Sequence, residues 1–395
     1  MFSTVPLSSP DLTEAEREAV LAVLNTPNLS MGAQILAFED SFRQLMNCSH
    51  AIGVNSGTAG LHLCIRAAGI QPGDLVLTTP FSFVSSTNVI LFEGAVPVFV
   101  DVDPLTGNLD VVQLEQAAHD LTEGGDAARR WLPRLGSQEG GRLKAILAVD
   151  VFGQPADWDA IRAIADRYGL ILIEDSCEAL GAEYKQRKAG SFGDYGVFAF
   201  YPNKQITTAE GGMIVTNDAR GGKLMQALRN QGRAPGDTWL QHTYLGYNYR
   251  LDELSAALGV AQMNRLEELL QKRQTVADWY FERLSEIQGI EVPYIAPETT
   301  RMSWFVYVLR LNQAISREKL ASRLEKHGIP VRPYFLPIHL QPYLVEKFGF
   351  QAGDFPVTED LGERGLAIPF SGVMTEDQVD YVSQVIREAL PFALK

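Results

Sequence analysis

Lys204 lies in the segment VFAFYPNKQITTAEGGMIV, in a short turn between two apolar runs, with Pro202 before it and the pair Gly211-Gly212 after it. Most lysines are solvated surface groups. An amine held between core strands is instead a Schiff-base former toward a carbonyl. The plainer reading is a loop lysine at the rim of a sheet. Asp175, in LILIEDSCEALGA, ends a wholly apolar run. The carboxyl ends of such strands are where α/β ligand sites gather. A carboxylate there must be paired or hydrogen-bonded to stay charged. A protonated heterocyclic nitrogen is one suitable partner; capping a helix is the alternative, for Asp175 as for Ser176.

Two further groups stand at helix starts. Asn55-Ser56-Gly57-Thr58 follows an apolar run and opens a helical pattern. A helix N-terminus offers unpaired N–H groups and a positive dipole end, which suits a phosphate. Gly57 lets the backbone approach closely, and Ser56 and Thr58 add hydroxyls. A simple Ser cap explains the same residues. Asn248 and Arg250, in GYNYRLDELSAALG, precede a long helical pattern. An arginine near a cleft suits bidentate recognition of carboxylate or phosphate. Capping plus a surface arginine is the alternative.

These residues need a scaffold, and the apolar patterning supplies one. Strand-like runs occur at 51–55, 75–79, 96–102, 144–150, 170–176, 195–201 and 212–217. Several are unbroken Val/Ile/Leu stretches, as in a sheet covered on both faces. Helical patterns fit between them, for example over 56–69 and 157–169. The alternation predicts an α/β fold: a mostly parallel seven-stranded sheet with helices on both faces. The stretch 120–142 breaks the rhythm and reads as a polar, Gly-rich surface insertion with one short helix. From about 250 a long helical pattern runs over 251–287. A strand-like WFVYVLRL (304–311) and a helix-like REKLASRLEKHG (317–328) come next. The expected division is a large domain over 1–250 with an N-terminal arm, and a smaller C-terminal α+β domain over 251–395.

Composition narrows the function. The chain has 395 residues, 46% hydrophobic, and a formal net charge of −14. That is ordinary globular composition. No basic stripe is present, so nucleic acid is not an expected partner. An anionic substrate would need local Arg, Lys or helix-start groups. The three cysteines, Cys48, Cys64 and Cys177, fit no zinc or redox spacing, and no metal is expected. Their odd, low count suits a reducing cytosol. No signal-peptide pattern and no run of 18 apolar residues appears, so neither export nor membrane insertion is expected.

Seven blocks in this order resemble the DegT/DnrJ/EryC1/StrS sugar aminotransferase family: NSGTAGLHL, GDLVLTTPFSFVSSTNVILFEGAVPVFVDVD, VFGQPADWDAI, IEDSCEALGAEY, FYPNKQITTAEGGMIVTND, LRNQGR and LGYNYRLDELSAALGVAQ. The similarity spans about residues 10 to 380. The resemblance implies a fold type I enzyme that uses pyridoxal 5′-phosphate, with pyridoxamine phosphate formed in turnover. Residue by residue, it implies that Lys204 is joined to the cofactor as an imine and that Asp175 partners the pyridine nitrogen. It places Ser56, Gly57 and Thr58 at the phosphate and Phe83 on the cofactor ring. Asn248 would reach the phosphate from the neighbouring subunit of a homodimer with shared sites, with Arg250 beside it. His339, in LPIHLQPY, would lie near the sugar pocket.

The resemblance thus implies a transaminase working in two halves. An amino acid, L-glutamate, gives its amino group to the cofactor. A keto sugar carried on a nucleoside diphosphate then receives it, in glycan or antibiotic sugar biosynthesis. Two positions depart from the family pattern. A serine that bonds the phosphate in relatives is Ala199 here. A position near the cofactor oxygen that is often His or Gln is Glu178, which needs protonation or a cationic partner. The insertion at 120–142 is also atypical. A cyclitol ketone is the nearest alternative acceptor. A dehydratase branch replaces the lysine by histidine, which Lys204 opposes. A regulatory protein has no DNA-binding module to support it. A nicotinamide enzyme lacks the expected GxGxxG after the early strands.

Overall fold

The computed structural model describes residues 4–136 and 141–395. All seven apolar runs enter one sheet. From edge to edge its strands are His50–Val54, Gly212–Thr216, Tyr195–Ala199, Ile171–Asp175, Leu143–Val149, Leu75–Thr78 and Val96–Phe99. Gly212–Thr216 runs antiparallel to both neighbours, and the remaining pairings are parallel. The predicted mostly parallel α/β sheet is therefore observed. Its single reversal has a local cause. Residues 200–211 join two adjacent strands without a crossover helix, so the chain returns antiparallel. Lys204 sits in that return.

Side chains alternate between the two faces of the sheet. Leu75, Leu77, Ile146, Ala148 and Leu172 enter one apolar core; Val76, Ala145, Leu147, Val149 and Ile173 enter another. Both faces are dry, which is why the runs are continuous rather than alternating. Helices Gly57–Ala67 and Trp158–Tyr168 cover them. Asp157 caps the second, and Gly169 closes it at φ 64°, a left-handed conformation that glycine adopts without steric cost.

Three expectations change in detail. The pattern over 251–287 forms two helices, Glu253–Met263 and Leu266–Leu284. Arg265 leaves helical geometry between them (φ −112°, ψ 9°), and its guanidinium binds Asp11 and Glu16. The second helix then sends Leu266, Leu269 and Leu270 into a sheet-side core, and Val276, Ala277, Tyr280 and Leu284 into the C-terminal core, where Val5 also lies. In WFVYVLRL only Tyr307–Leu311 is strand, flanked by Ile290–Glu291 and Gly365–Ile368 in a small antiparallel sheet. In the stretch 120–142, the helix Val111–Glu123 runs into the segment and a short helix comes after it at Gly125–Arg129. Buried Asp120 gathers Gln116, Arg130 and Trp131, while Leu135 N–H donates to the Phe348 carbonyl. Part of the predicted insertion, 137–140, lies outside the described residues. Among the described residues no helix is long and apolar enough to cross a membrane, and no group of His, Cys, Asp and Glu is arranged to hold a metal ion.

Candidate active site

The carboxyl ends of the central strands open into a cavity of about 440 Å³. Asp175 ends its strand there, Ala199 ends the next, and the helix Gly57–Ala67 starts beside them. Of the residues singled out in the sequence, Ser56, Gly57, Thr58, Phe83, Asp175, Glu178 and Lys204 all line this one cavity.

Lys204 is held in place by its turn, its amide donating to the Tyr201 carbonyl at 2.9 Å. Its side chain is only 13% exposed. Nζ lies 3.7 Å from the centroid of the Phe305 ring and 3.6 Å from Glu178 Oε1. Glu178 also accepts the Phe152 amide at 2.9 Å. Burial pushes the Glu178 carboxyl up from its ordinary value, against the pull of Lys204 and that amide. The cationic partner that an acid at this position needs is thus Lys204 itself.

Asp175 is buried, and its carboxylate is fixed by two donors: Ser86 Oγ at 2.8 Å and the Cys177 amide at 3.2 Å. Beneath it the Asp150 amide donates to the Asp175 carbonyl. Ser176 Oγ links buried Asp150 (2.7 Å) to buried Glu174 (3.2 Å). Burial raises both of those carboxyls from their ordinary values, against the pull of the donors that bond them. Burial and the neighbouring Asp175 charge likewise push the Cys177 thiol well up, which keeps it protonated.

The helix start is both cap and candidate anion site. Ser56 Oγ accepts the Ala59 amide at 3.1 Å, and the Ser56 carbonyl accepts that of Gly60. The amides of Gly57 and Thr58 come before these in the first turn, where a helix has no acceptors of its own. A Cβ on Gly57 would stand 2.7 Å from the Ala199 methyl and 2.9 Å from Cys177 Sγ. Close packing of helix on strand therefore demands this glycine whatever binds there. Thr58 Oγ1 pairs with Ser85 Oγ at 2.8 Å.

The remaining candidates lie elsewhere. Asn248 is exposed outside the cavity, its carbonyl accepting from Asn55 Nδ2. Arg250 donates to Asn230 Oδ1 at 3.0 Å. The helix that begins at Glu253 is capped by Asp252, so neither residue serves as its cap. His339 does not reach the cavity. It is fully buried, bonded to Glu359 at 3.0 Å and set edge-on to Phe355, because its short helical turn is folded into the apolar core under the sheet.

Several residues that line the cavity or bond to its lining carry no motif of their own. Ser86 holds Asp175 from 89 positions away. Phe305 comes from the strand-like run WFVYVLRL, and Tyr334 and Phe335 from a loop with no motif. Asn203, next to Lys204, also lines the cavity, and its buried Oδ1 has no partner.

The chain is similar to known sugar aminotransferases over nearly its whole length. GDP-perosamine synthase of Caulobacter vibrioides is 35% identical over 390 residues, covering 98% of both chains. The UDP-N-acetyl-3-dehydro-alpha-D-glucosamine 3-aminotransferase of Acidithiobacillus ferrooxidans is 34% identical, covering 93% of this chain and 92% of its own. Among solved structures, Helicobacter pylori PseC, an aminotransferase involved in the biosynthesis of pseudoaminic acid, superposes with a TM-score of 0.88 at 26% identity, covering 98% of this chain and all of its own. The family profile matches residues 10–387, and the chain belongs to the DegT/DnrJ/EryC1/StrS aminotransferase family.

Proposed function

We propose that this aminotransferase passes an amino group to a keto sugar carried on a nucleoside diphosphate, with L-glutamate as donor. One observation carries the reading: an amine, a carboxylate and a helix start line the same cavity. The sugar class is supported by the relatives, one named for a GDP-linked and one for a UDP-linked compound. Their nucleotides differ, so the proposal extends to the class and not to the base.

The residues present fit pyridoxal phosphate. Its phosphate suits the amides of Gly57 and Thr58, and its ring nitrogen suits Asp175. Asn203, beside Lys204, lines the same space. Lys204 is the point of attachment, and Phe83 is the aromatic available to the ring. When bound, this cofactor supplies an electron sink for the carbanion left when an amino acid loses its α-proton. Nζ of Lys204 then acts as base at the donor Cα. Asp175 holds positive charge on the ring nitrogen, and Ser86 and the Cys177 amide hold Asp175. Phe305 covers Nζ on one side, and Tyr334 and Phe335 line the same cavity. Glu178 balances the Lys204 ammonium.

Assembly is part of the proposal. Phe83 is 62% exposed, and Trp239, Leu240 and Leu245 are each about 80% exposed on the segment that leads to Asn248. Apolar groups so placed suit a second copy of the chain. A two-fold homodimer would bring a partner's Asn248 to the open edge of each cavity.

Borohydride reduction of the yellow holoenzyme, with peptide mapping afterwards, tests the attachment. Label on Lys204 is expected; label on another lysine overturns it. A panel of nucleotide-linked keto sugars, monitored by loss of pyridoxamine absorbance, tests the acceptor. Turnover with cyclitol ketones but with no nucleotide sugar would overturn the sugar class.

A further inference from the structure

Arg273 stands on the helix Leu266–Leu284 and is 4% exposed. Its guanidinium donates only to main-chain carbonyls. Nη1 reaches Trp304 at 3.1 Å and Phe305 at 3.3 Å; Nη2 reaches Asn203 at 3.1 Å and Lys204 at 2.6 Å. Among the described residues no carboxylate pairs with it. Two other well-buried arginines are neutralised: Arg229 by Glu39, and Arg265 by Asp11 and Glu16. Burial brings the Arg273 pKa down to about 10, so the group stays charged at neutral pH. An unpaired buried cation is costly unless its donors are filled. Here carbonyl dipoles fill them.

Those carbonyls come from two separate parts of the chain. Two belong to the turn that carries Lys204. The other two belong to the segment that carries Phe305, whose ring lies 3.7 Å from Lys204 Nζ. The turn returns between two strands of the main sheet, whereas Phe305 leads into the small one. Arginine's planar fork can join both; a lysine, with one nitrogen, cannot hold the same set.

We propose that Arg273 is a positioning residue for Lys204. It clasps the Lys204 turn to the Phe305 segment, and its unpaired charge sets the electrostatic surroundings of Nζ. The inference rests on Lys204 being the point of cofactor attachment. A fixed cation nearby disfavours the protonated form of the nitrogen that joins Lys204 to the cofactor. Charge and clasp are separable. Arg273→Met removes both, while Arg273→Lys keeps the charge and breaks the clasp.

The test uses cofactor-loaded dimer of each variant, with the fold checked by circular dichroism and the attachment checked by borohydride mapping. Two quantities are read: the pH midpoint of the visible absorbance change, and kcat with KM for each substrate. Arg273→Met should raise the midpoint, because a nearby cation that disfavours the protonated form is removed. It should lower kcat roughly tenfold and leave KM within about twofold. Arg273→Lys should keep the wild-type midpoint yet lose a similar share of kcat. A folded Met variant with an unmoved midpoint overturns the proposal, even if kcat falls, because looser packing alone would give that. If the Met variant does not fold, the Lys variant decides: full kcat, a moved midpoint or a raised KM overturns the proposal, and kcat reduced with both KM and midpoint unchanged supports it. Label on a lysine other than Lys204 in the wild-type protein overturns both this inference and the assignment of Lys204 beneath it. Label on Lys204 with wild-type behaviour in the variants overturns this inference alone.

Discussion

The inner wall of the cavity and its outer rim are built in opposite ways. The inner wall consists of strand ends and one helix start, closed by Asp175, Glu178 and a mostly buried Lys204. Asp175 and Glu178 there are each held by hydrogen-bond donors of the same chain. The rim includes Phe83 and Tyr201, both more than half exposed. Asn248 stands beyond it, outside the cavity of its own chain. On the proposed function, reaction chemistry is held by the sheet of one chain, and the exposed boundary is where a second copy would complete the site. A family that varies its sugar while keeping its transamination needs that separation.

The sharpest break would come from the inner wall. Lys204→Ala should fold, bind pyridoxamine phosphate and lose turnover by about 10³-fold or more, the scale of a missing general base. Single-turnover assays check it, and near-wild-type rates would remove Lys204 from the chemistry. Next comes Asp175→Asn. It should keep the cofactor and lose about 100-fold in kcat, because a neutral amide supports a positive ring nitrogen poorly. A near-normal rate would make Asp175 a structural carboxylate bonded to Ser86. At the rim, Asn248→Ala should cost about tenfold alone, as one lost contact to a charged group implies. Mixed with Lys204→Ala subunits, it should recover activity. One site of each mixed dimer carries both lesions and the other neither, so roughly a quarter of wild-type activity is expected for random exchange. Verified exchange without recovery would place the whole site within one chain. The smallest effect is expected from Ser86→Ala. It removes one of two donors to Asp175 and should lower kcat about fivefold with KM unchanged. A loss as large as that of Asp175→Asn would show that the hydroxyl does more than hold the carboxylate.

The same division explains what the sequence reveals. The strands are legible because each is buried on both faces, so apolar runs mark them without ambiguity. Asp175 and Lys204 are legible because a charge at the end of such a run stands out. Phe305 is not, since it sits in an apolar run that looks like strand, and only Arg273 draws its carbonyl away from a ladder. Ser86 is one of several serines in SFVSS, and nothing local distinguishes the one that meets Asp175. The break at Arg265 is hidden because helical periodicity continues across it. Its cause, Glu16, lies 249 positions away. His339 shows the reverse error: a motif match places it near substrate, but its ring serves an apolar core and one glutamate.

One rod, Leu266–Leu284, gives its first turns to one core and its last turns to the other, and it carries Arg273 between them. A chain so joined cannot be cut into working halves. Ending it before 266 would strip Leu269 and Leu270 from beneath the sheet, and starting there would leave their faces bare to water. Heating should accordingly give a single calorimetric transition rather than two, with catalytic competence vanishing at the same temperature as the bulk of the ordered structure.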